Sequence, residues 1–262
     1  MDLQGKRALV TGSTAGIGLA AALGLARDGA AVVVNGRAVE RVDSAIEHIR
    51  QAAPRADVRG VAADLGTAAG CDALLEQLPD VDVLVNNVGI FEPKPFEDIP
   101  DEDWLRFFET NVLSGVRLSR HYLPKMRERN WGRIVFVSSE SAVQIPAEMI
   151  HYGVTKTAQV AVARGLAETT RGTGVTVNSV LPGPTRSEGV SEFVEGLSRQ
   201  QGVSAQQVEQ EFFRTMRPSS LLKRFITPEE VADFVAFVCS PLAAAVNGAA
   251  LRVDGGVVRS VV

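Results

Sequence analysis

A tyrosine and a lysine, Tyr152 and Lys156, stand four residues apart in the sequence. On a helix this spacing places both side chains on one face, one turn from each other. The pKa of a free tyrosine hydroxyl is about 10, too high for efficient proton transfer at neutral pH, and a nearby ammonium lowers it. Such pairs are common on helix surfaces, but this chain has only two tyrosines, and Ser139 ends an apolar run thirteen residues before Tyr152. The group therefore indicates proton-transfer chemistry.

Glycines recur in the turn that follows the first apolar run of the chain. The stretch TGSTAGIG places Gly12, Gly16 and Gly18 before and within the start of an Ala- and Leu-rich helical segment, Ile17–Asp28. Glycines here let the chain turn sharply and bring its backbone close to a pyrophosphate, whose charge is favoured at a helix N-terminus. The alternative is a turn that only connects a strand to a helix. The strand–turn–helix context favours nucleotide binding.

Seven short β-branched runs along the chain predict the strands that must position these groups. They are Arg7–Thr11, Ala31–Asn35, Val58–Ala62, Val81–Asn86, Arg133–Ser138, Val175–Val180 and Ala250–Val253. Most are apolar at successive positions, as expected for strands covered on both faces. Helical segments lie between them. The alternation predicts an α/β fold, a doubly wound, Rossmann-type seven-stranded parallel sheet with helices on both faces.

The stretch 186–226 interrupts this alternation after the sixth strand. It carries two helical patterns, Val190–Gln201 and Ala205–Met216, with no strand between them. Ligands of open α/β sheets bind beyond the carboxyl ends of the strands, so helices inserted here would form a lid over a substrate. A packing elaboration is an equally good interpretation. Since no Ser/Pro/Gly-rich linker occurs, we expect residues 1–262 to form a single domain that includes this lid.

Composition bears on partners and location. The formal net charge is −4 and the basic residues are scattered, so we expect no nucleic-acid partner. Two cysteines and three histidines, without CxxC spacing, argue against a structural metal or a disulfide framework. The N-terminus lacks the apolar core of a signal peptide, and the longest apolar stretch, Phe234–Val246, is too short to span a bilayer. We expect a cytoplasmic protein.

The glycine spacing, G-x-x-x-G-x-G, resembles the TGxxxGxG turn of the short-chain dehydrogenase/reductase family, and the family's other marks follow in order. The similarity extends from Lys6 to Gly256, and within the family the chain is similar to 3-oxoacyl-[acyl-carrier-protein] reductases. The family's NNAG motif corresponds to residues 86–89, where Val88 replaces the usual alanine. The matching positions are Gly12, Gly16, Gly18, Asp64, Asn87, Gly89, Asn111, Ser139, Tyr152, Lys156, Pro182 and Gly183.

The resemblance implies an enzyme that moves a hydride between a nicotinamide and a carbonyl or secondary alcohol. Tyr152 would be the acid, Lys156 would lower its pKa and bond the nicotinamide ribose, and Ser139 would bond the substrate oxygen. Asn111 would hold a water that links Lys156 to solvent. Asn111 falls inside a predicted helix, Trp104–Lys125, where asparagine is unfavourable, so an Asn bonded within a kinked helix is the alternative.

The resemblance also implies a set of cofactor contacts. An acid at the end of the second strand would bind the ribose 2′-OH of NAD and repel the 2′-phosphate of NADP. This chain has Asn35, Gly36 and Arg37 there, which favours NADP over NAD, although Ala15 stands where NADP-using relatives often carry a second basic residue. The expected contacts are Gly12, Ser13, Thr14, Gly16, Ile17, Gly18, Asn35, Arg37, Asp64, Leu65, Asn87, Gly89, Tyr152, Lys156, Pro182, Gly183 and Thr185.

The sequence does not identify the small-molecule substrate, and family analogy alone does not choose one. We expect an NADPH-dependent ketone or 3-oxoacyl reductase that forms the family's homotetramer. The alternative is a catalytically silent protein that senses NAD(P) on the same fold, which would be expected to have lost part of the Ser-Tyr-Lys group. The side chains expected around the substrate are Phe91, Glu140, Gln144, Met149, His151, Thr185 and Arg186.

Overall fold

The computed structural model describes residues 1–261, so Val262, the last residue of the predicted domain, lies outside the described residues. Seven strands form one parallel sheet in the order β3-β2-β1-β4-β5-β6-β7. This confirms the predicted doubly wound, Rossmann-type sheet. The strands are β1 (Arg7–Val10), β2 (Ala31–Gly36), β3 (Val58–Ala62), β4 (Val83–Asn86), β5 (Gly132–Val137), β6 (Val175–Pro182) and β7 (Ala250–Val253).

Helices cover both faces of the sheet, and side chains alternate between the two faces along each strand. In β1, Val10 packs into the core on one face of the sheet with residues such as Leu25, Ile49 and Val235, whereas Leu9 packs into the core on the other face with residues such as Leu74 and Leu118. Continuous apolar runs are the consequence of this burial on both sides. The helices are α1 (Gly16–Arg27), α2 (Val39–Ala52), α3 (Ala68–Gln77), α4 (Asp101–Phe108), α5 (Ser114–Glu128), α6 (Ile150–Glu168), α7 (Glu188–Gln201), α8 (Ala205–Thr215) and α9 (Pro228–Cys239).

The strand order reverses between β1 and β4, and this switch point defines where a ligand can lie. Chains leave the two strands toward opposite sides, which opens a crevice at their carboxyl ends. The glycine turn follows β1, the NNVG segment follows β4, and Ser139 follows β5. The topology therefore brings the predicted nucleotide turn and the predicted catalytic serine to one edge of the sheet.

The predicted helix Trp104–Lys125 is not continuous. It consists of α4, a π-helical turn at Glu109–Leu113, and α5, and Asn111 lies in the π turn. Single π turns inside α-helices are rare and frequently occur at functional sites. The chain at Asn111 is thus distorted where the sequence placed an unfavourable residue.

The stretch 186–226 is a helical insertion with a small core of its own. Helices α7 and α8 pack around four buried residues, namely Val194, Val208, Phe213 and Phe225. The two ends of the insertion meet in a parallel bridge between Thr185 and Ile226. The helices are therefore present where the sequence predicted them. In residues 1–261, no helix has the length and apolar character needed to cross a membrane.

Candidate active site

The glycine turn leaves the first amides of α1 without a capping side chain. Gly12 and Gly16 have φ angles of +58° and +54°, which disfavour residues with a Cβ, and the N-cap, Ala15, makes no side-chain hydrogen bond. A Cβ on Gly18 would lie 2.5 Å from Asn87 Nδ2 and 2.9 Å from Ser13 Cα. The turn thus combines a closely approachable backbone with free N–H groups at a helix N-terminus, which fits a pyrophosphate.

Two residues expected to contact a cofactor have side chains that hold this turn in place. Asn35 is buried; its Oδ1 accepts from Gly12 N at 3.2 Å, and its Nδ2 donates to two backbone carbonyls at and beyond the end of β3. Ser13 is also buried, and its Oγ donates to Val10 O at 2.6 Å and accepts from Asn35 N at 2.9 Å. The hydrogen bonds of both side chains are therefore used to hold the turn, and contact of these two residues with a cofactor stays a prediction.

The remaining expected cofactor residues divide by exposure. Arg37 is exposed and has no hydrogen-bond or ion-pair partner among residues 1–261, and Asp64 is exposed after β3. Asn87 Nδ2 donates to the carbonyls of Thr11 and Gly12, each at 3.0 Å, and so fastens the segment after β4 to the glycine turn. The side chain of Leu65 is 2 % exposed and packs in the core, which leaves only its backbone for a ligand.

Ser139, Tyr152 and Lys156 come together at the carboxyl end of β5. Lys156 Nζ lies 5.5 Å from the centroid of the Tyr152 ring and donates to Val137 O at 3.1 Å. Ser139 lies near enough to the Tyr152 phenol to lower its pKa. The neighbouring Ser138 donates to the backbone carbonyl of Lys156 at 2.8 Å, and is thereby committed to holding α6 against β5. The arrangement places a phenol, a serine hydroxyl and an ammonium around one point.

Burial shifts the pKa values of both the phenol and the ammonium of this group. Burial raises the pKa of Tyr152, and the negative charge of Glu140 raises it further; a hydrogen bond with Ser139 acts in the opposite direction. Burial lowers the pKa of Lys156 from 10.5 to about 8. The pKa of Tyr152 therefore lies above its usual value, because desolvation of the phenol outweighs the effects of Ser139 and of the Arg217 charge. The lowering by Lys156 that the resemblance implies stays a prediction.

Asn111 ties three parts of the site together. Its side chain is buried, with Oδ1 accepting from Ile90 N at 2.7 Å and Nδ2 donating to Ile90 O and to Thr155 Oγ1, both at 3.0 Å. Thr155 precedes Lys156 on α6, and the sequence had not indicated it as part of the site. A Cβ on Gly89 would lie 3.3 Å from Lys156 Nζ and 3.4 Å from Asn111 Oδ1, so glycine keeps this gap open. The water relay expected of Asn111 stays a prediction.

Residues 6–197 match the family model described as short chain dehydrogenase. The chain belongs to the short-chain dehydrogenase family. This confirms the resemblance inferred from the motifs, and it makes the protein an oxidoreductase acting on CH–OH or carbonyl groups with a nicotinamide cofactor.

Relatives of this short-chain dehydrogenase cover its whole length. An uncharacterized oxidoreductase of Bacillus subtilis, YvaG, is 51% identical over 100% of this chain and 99% of its own. A D-beta-hydroxybutyrate dehydrogenase of Cupriavidus necator is 35% identical over 97% of this chain and 98% of its own. The solved structure of L-sorbose reductase from Gluconobacter frateurii, complexed with NADPH and L-sorbose, has a TM-score of 0.94 at 33% identity and covers 100% of this chain and 99% of its own.

Of the side chains expected around the substrate of this dehydrogenase, some are accessible near Tyr152, whereas His151 is buried. Phe91 is exposed, and its ring is edge-on to that of Tyr152 with 6.4 Å between the ring centroids. Gln144 is exposed and Met149 is half-buried. His151 is fully buried, and its ring centroid lies 4.0 Å from that of Phe107. Expecting it in the pocket was wrong, because neighbouring residues of a helix point in different directions.

Three further residues expected around the substrate have side chains that bond to other parts of the protein. Thr185 is buried and donates to Gly183 O at 2.9 Å. Arg186 pairs with Glu209 on α8. Glu140 is buried, and both of its oxygens are bonded within the protein. Thr185 and Glu140 are thus bonded in the interior, whereas the Arg186 side chain is 43% exposed beside its partner. The sequence alone did not reveal these partners.

The sequence also missed Arg217, which approaches the segment after Ser139 from the insertion. It follows α8 in an irregular stretch, is 8 % exposed, and its Nε donates to Glu140 Oε1 at 3.1 Å. No periodicity or motif spacing connects position 217 with position 140, so no sequence signal was available. Among residues 1–261, no group of three or more His, Cys, Asp or Glu side chains is placed to hold a metal ion.

Proposed function

We propose that the protein is an NADPH-dependent reductase of a small polar ketone. The observation that carries this proposal is the intact group of Ser139, Tyr152 and Lys156 beside the glycine turn. Arg37, exposed and unpartnered among the described residues at the end of β2, supports NADP, since its planar fork suits a 2′-phosphate. L-sorbose reductase, solved with NADPH, supports both the cofactor and a polyhydroxylated substrate. A candidate NAD(P)-dependent gluconate 5-dehydrogenase from Beutenbergia cavernae, solved with NADP, is consistent with both.

The chain's own groups divide the work of the reduction. When bound, the nicotinamide dinucleotide supplies the hydride. The free amides at the start of α1 would hold the pyrophosphate. Tyr152 would donate its proton to the substrate carbonyl oxygen, and Ser139 would donate a hydrogen bond to the same atom. The Lys156 ammonium stabilises the phenolate as the proton leaves, and Asn111 keeps Lys156 in place through Thr155. Residues 186–226 act as the lid that excludes water.

Cofactor titration and a substrate screen test this proposal. Protein fluorescence should report tighter binding of NADPH than of NADH, and NADPH oxidation should be followed with ketoses, keto acids and 3-oxoacyl thioesters. A 3-oxoacyl reductase is the second candidate, because a 3-oxoacyl-[acyl-carrier-protein] reductase of Aquifex aeolicus is 32% identical. Tighter binding of NADH would overturn the cofactor assignment. Tight NADPH binding without turnover of any carbonyl class would favour the sensing protein.

We also propose a homotetramer located in the cytoplasm. Helices α4 and α6 carry exposed apolar side chains that assembly would cover. They are Leu105, Phe108 and Val154, which are 71%, 42% and 43% exposed. Two free thiols, Cys71 and Cys239, fit a reducing compartment. Light scattering should give four times the chain mass of 27.9 kDa, and a monomer would contradict the assembly. Fractionation of the source cells tests the location.

A further inference from the structure

Glu140 is a charged side chain in the interior, immediately after the catalytic serine. It is 5% exposed and opens the single 3₁₀ turn Glu140–Ala142 that follows Ser139. Its Oε2 accepts from Ser139 Oγ at 2.5 Å, and its Oε1 accepts from Arg217 Nε at 3.1 Å. Buried carboxylates persist only where they are paired and hydrogen-bonded, and here one partner is a catalytic group.

Arg217 reaches this carboxylate from the insertion and contacts a second acid. Its Nη1 donates to Glu148 Oε1 at 2.9 Å. Glu140 directly follows Ser139, and Glu148 stands four residues before Tyr152. The arginine therefore holds both ends of the segment that joins the two catalytic hydroxyls, and the geometry of that segment sets the distance between them.

The hydrogen bonds of Ser139 show what the pair controls. Ser139 Oγ has one proton, which it donates to Glu140, and it accepts from Ser141 N at 3.1 Å. It also lies near enough to the Tyr152 phenol to affect its pKa. To bond a substrate oxygen, the serine proton must turn away from Glu140 while Oγ stays in place. A carboxylate that is paired with a guanidinium is a weaker hydrogen-bond acceptor than an unpaired one. Arg217 therefore lowers the energy needed to rotate the serine O–H away from Glu140.

We propose that Glu140 and Arg217 are a positioning pair for Ser139: Glu140 fixes the serine oxygen beside Tyr152, and Arg217 fixes Glu140 and weakens its hold on the serine proton. Because Arg217 belongs to the insertion 186–226, docking of the insertion completes the active site. The inference rests on the proposed function, since it concerns reduction at Ser139 and Tyr152. The charges of both members reach the phenol, because Glu140 raises the pKa of Tyr152 and Arg217 lowers it.

The test compares two arginines of one segment. Arg217→Met should lower kcat by about 10²-fold, the usual consequence of a displaced catalytic group. Its KM for NADPH should stay within about twofold, because the glycine turn is untouched. Arg214→Met is the matched control, since Arg214 pairs with Glu211 and its side chain is 73% exposed. Arg217→Lys keeps the charge and should recover part of kcat, and melting curves establish that each variant folds.

The pH profile separates positioning from structural support. Tyr152 faces the charges of Glu140, Arg217 and Lys156, and Glu148 acts on it through Arg217. Reduction needs both the protonated phenol and the Lys156 ammonium, so kcat falls as pH rises through the lower of their two pKa values. This is the pKa of Lys156, which burial lowers to about 8 and which the charge of Glu140 raises. Glu140→Gln removes a negative charge and should move this fall to lower pH, whereas Arg217→Met removes a positive charge and should move it to higher pH. A merely structural role predicts no such opposite displacement.

The outcomes of these experiments are distinguishable. If the wild-type protein reduces no carbonyl compound, the proposed function fails, and limited proteolysis still tests the docking. Arg217→Met should then be cleaved within 186–226 faster than Arg214→Met, and equal rates would overturn the docking role. If the wild-type protein is active, equal kcat values for these two variants, or pH displacements in one direction for Glu140→Gln and Arg217→Met, would overturn the positioning pair.

Discussion

Replacing Lys156 by methionine should stop turnover and, at neutral pH, increase the free energy of unfolding. Lys156 is 5% exposed, and its Nζ donates to one backbone carbonyl, Val137 O, at 3.1 Å. Burial lowers its pKa from 10.5 to about 8, so at pH 7 the folded protein carries a charge that its surroundings disfavour. Methionine keeps the unbranched shape of the side chain without the charge.

The magnitude follows from the two pKa values. The difference between 10.5 and about 8 corresponds to roughly 3 kcal/mol at pH 7, taking about 1.4 kcal/mol for each pH unit. Losing the bond to Val137 costs about 1 kcal/mol, which leaves a net gain of about 2 kcal/mol for Lys156→Met. Between about pH 8 and 10.5 the unfolded chain binds more protons than the folded one, so wild-type stability rises there and the advantage of the variant disappears.

Urea unfolding of the wild type and the variant at pH 7 and pH 10 measures this difference. The variant should be more stable by about 2 kcal/mol at pH 7 and equal to the wild type near pH 10. Lys125→Met is a matched control, because Lys125 Nζ also donates to a backbone carbonyl, Pro79 O, but at an exposed position. A variant less stable than the wild type at pH 7, or a difference independent of pH, would refute the reasoning.

Three further predictions concern the acid and the cofactor. Tyr152→Phe removes the proton donor and should lower kcat by about 10³-fold with little change in the NADPH Kd; a normal kcat would assign the acid elsewhere. Arg37→Ala should raise the KM for NADPH by about tenfold and leave that for NADH unchanged, and steady-state kinetics with both cofactors decides this. Gly18→Ala places a Cβ 2.5 Å from Asn87 Nδ2 and should weaken binding of both cofactors in fluorescence titrations; unchanged affinity would contradict the role of the close approach.

Much of the fold could be predicted because burial on both faces of a sheet requires continuous apolar runs. All seven predicted runs are strands of the sheet, and the differences lie at their ends. β4 begins at Val83, two residues later than expected, and β6 continues to Pro182, where that residue is aligned with Val253 of β7. Such ends depend on which strand lies alongside, and a single strand's sequence does not record its neighbour.

The site divides in the same way. Residues at fixed spacing from one another, such as Tyr152 and Lys156, could be predicted because helix geometry alone brings them together. The direction of the Asn35 amide could not, since its three backbone partners come from two other segments of the chain. Arg217 lies 77 positions from Glu140, in a stretch without regular structure, so only the folded insertion brings the two together.

Asn111 shows why local preference and final geometry disagree at this site. Helix propensity opposes asparagine here, yet its side chain makes three hydrogen bonds to Ile90 and Thr155. Its backbone carbonyl also accepts from Gln159 Nε2 at 2.5 Å. Because Asn111 lies in the π turn, it can bond to the segment after β4 and to α6 while the chain around it stays helical. A residue that is locally unfavourable thus joins the elements around Lys156, which is the kind of conflict expected where function constrains the sequence.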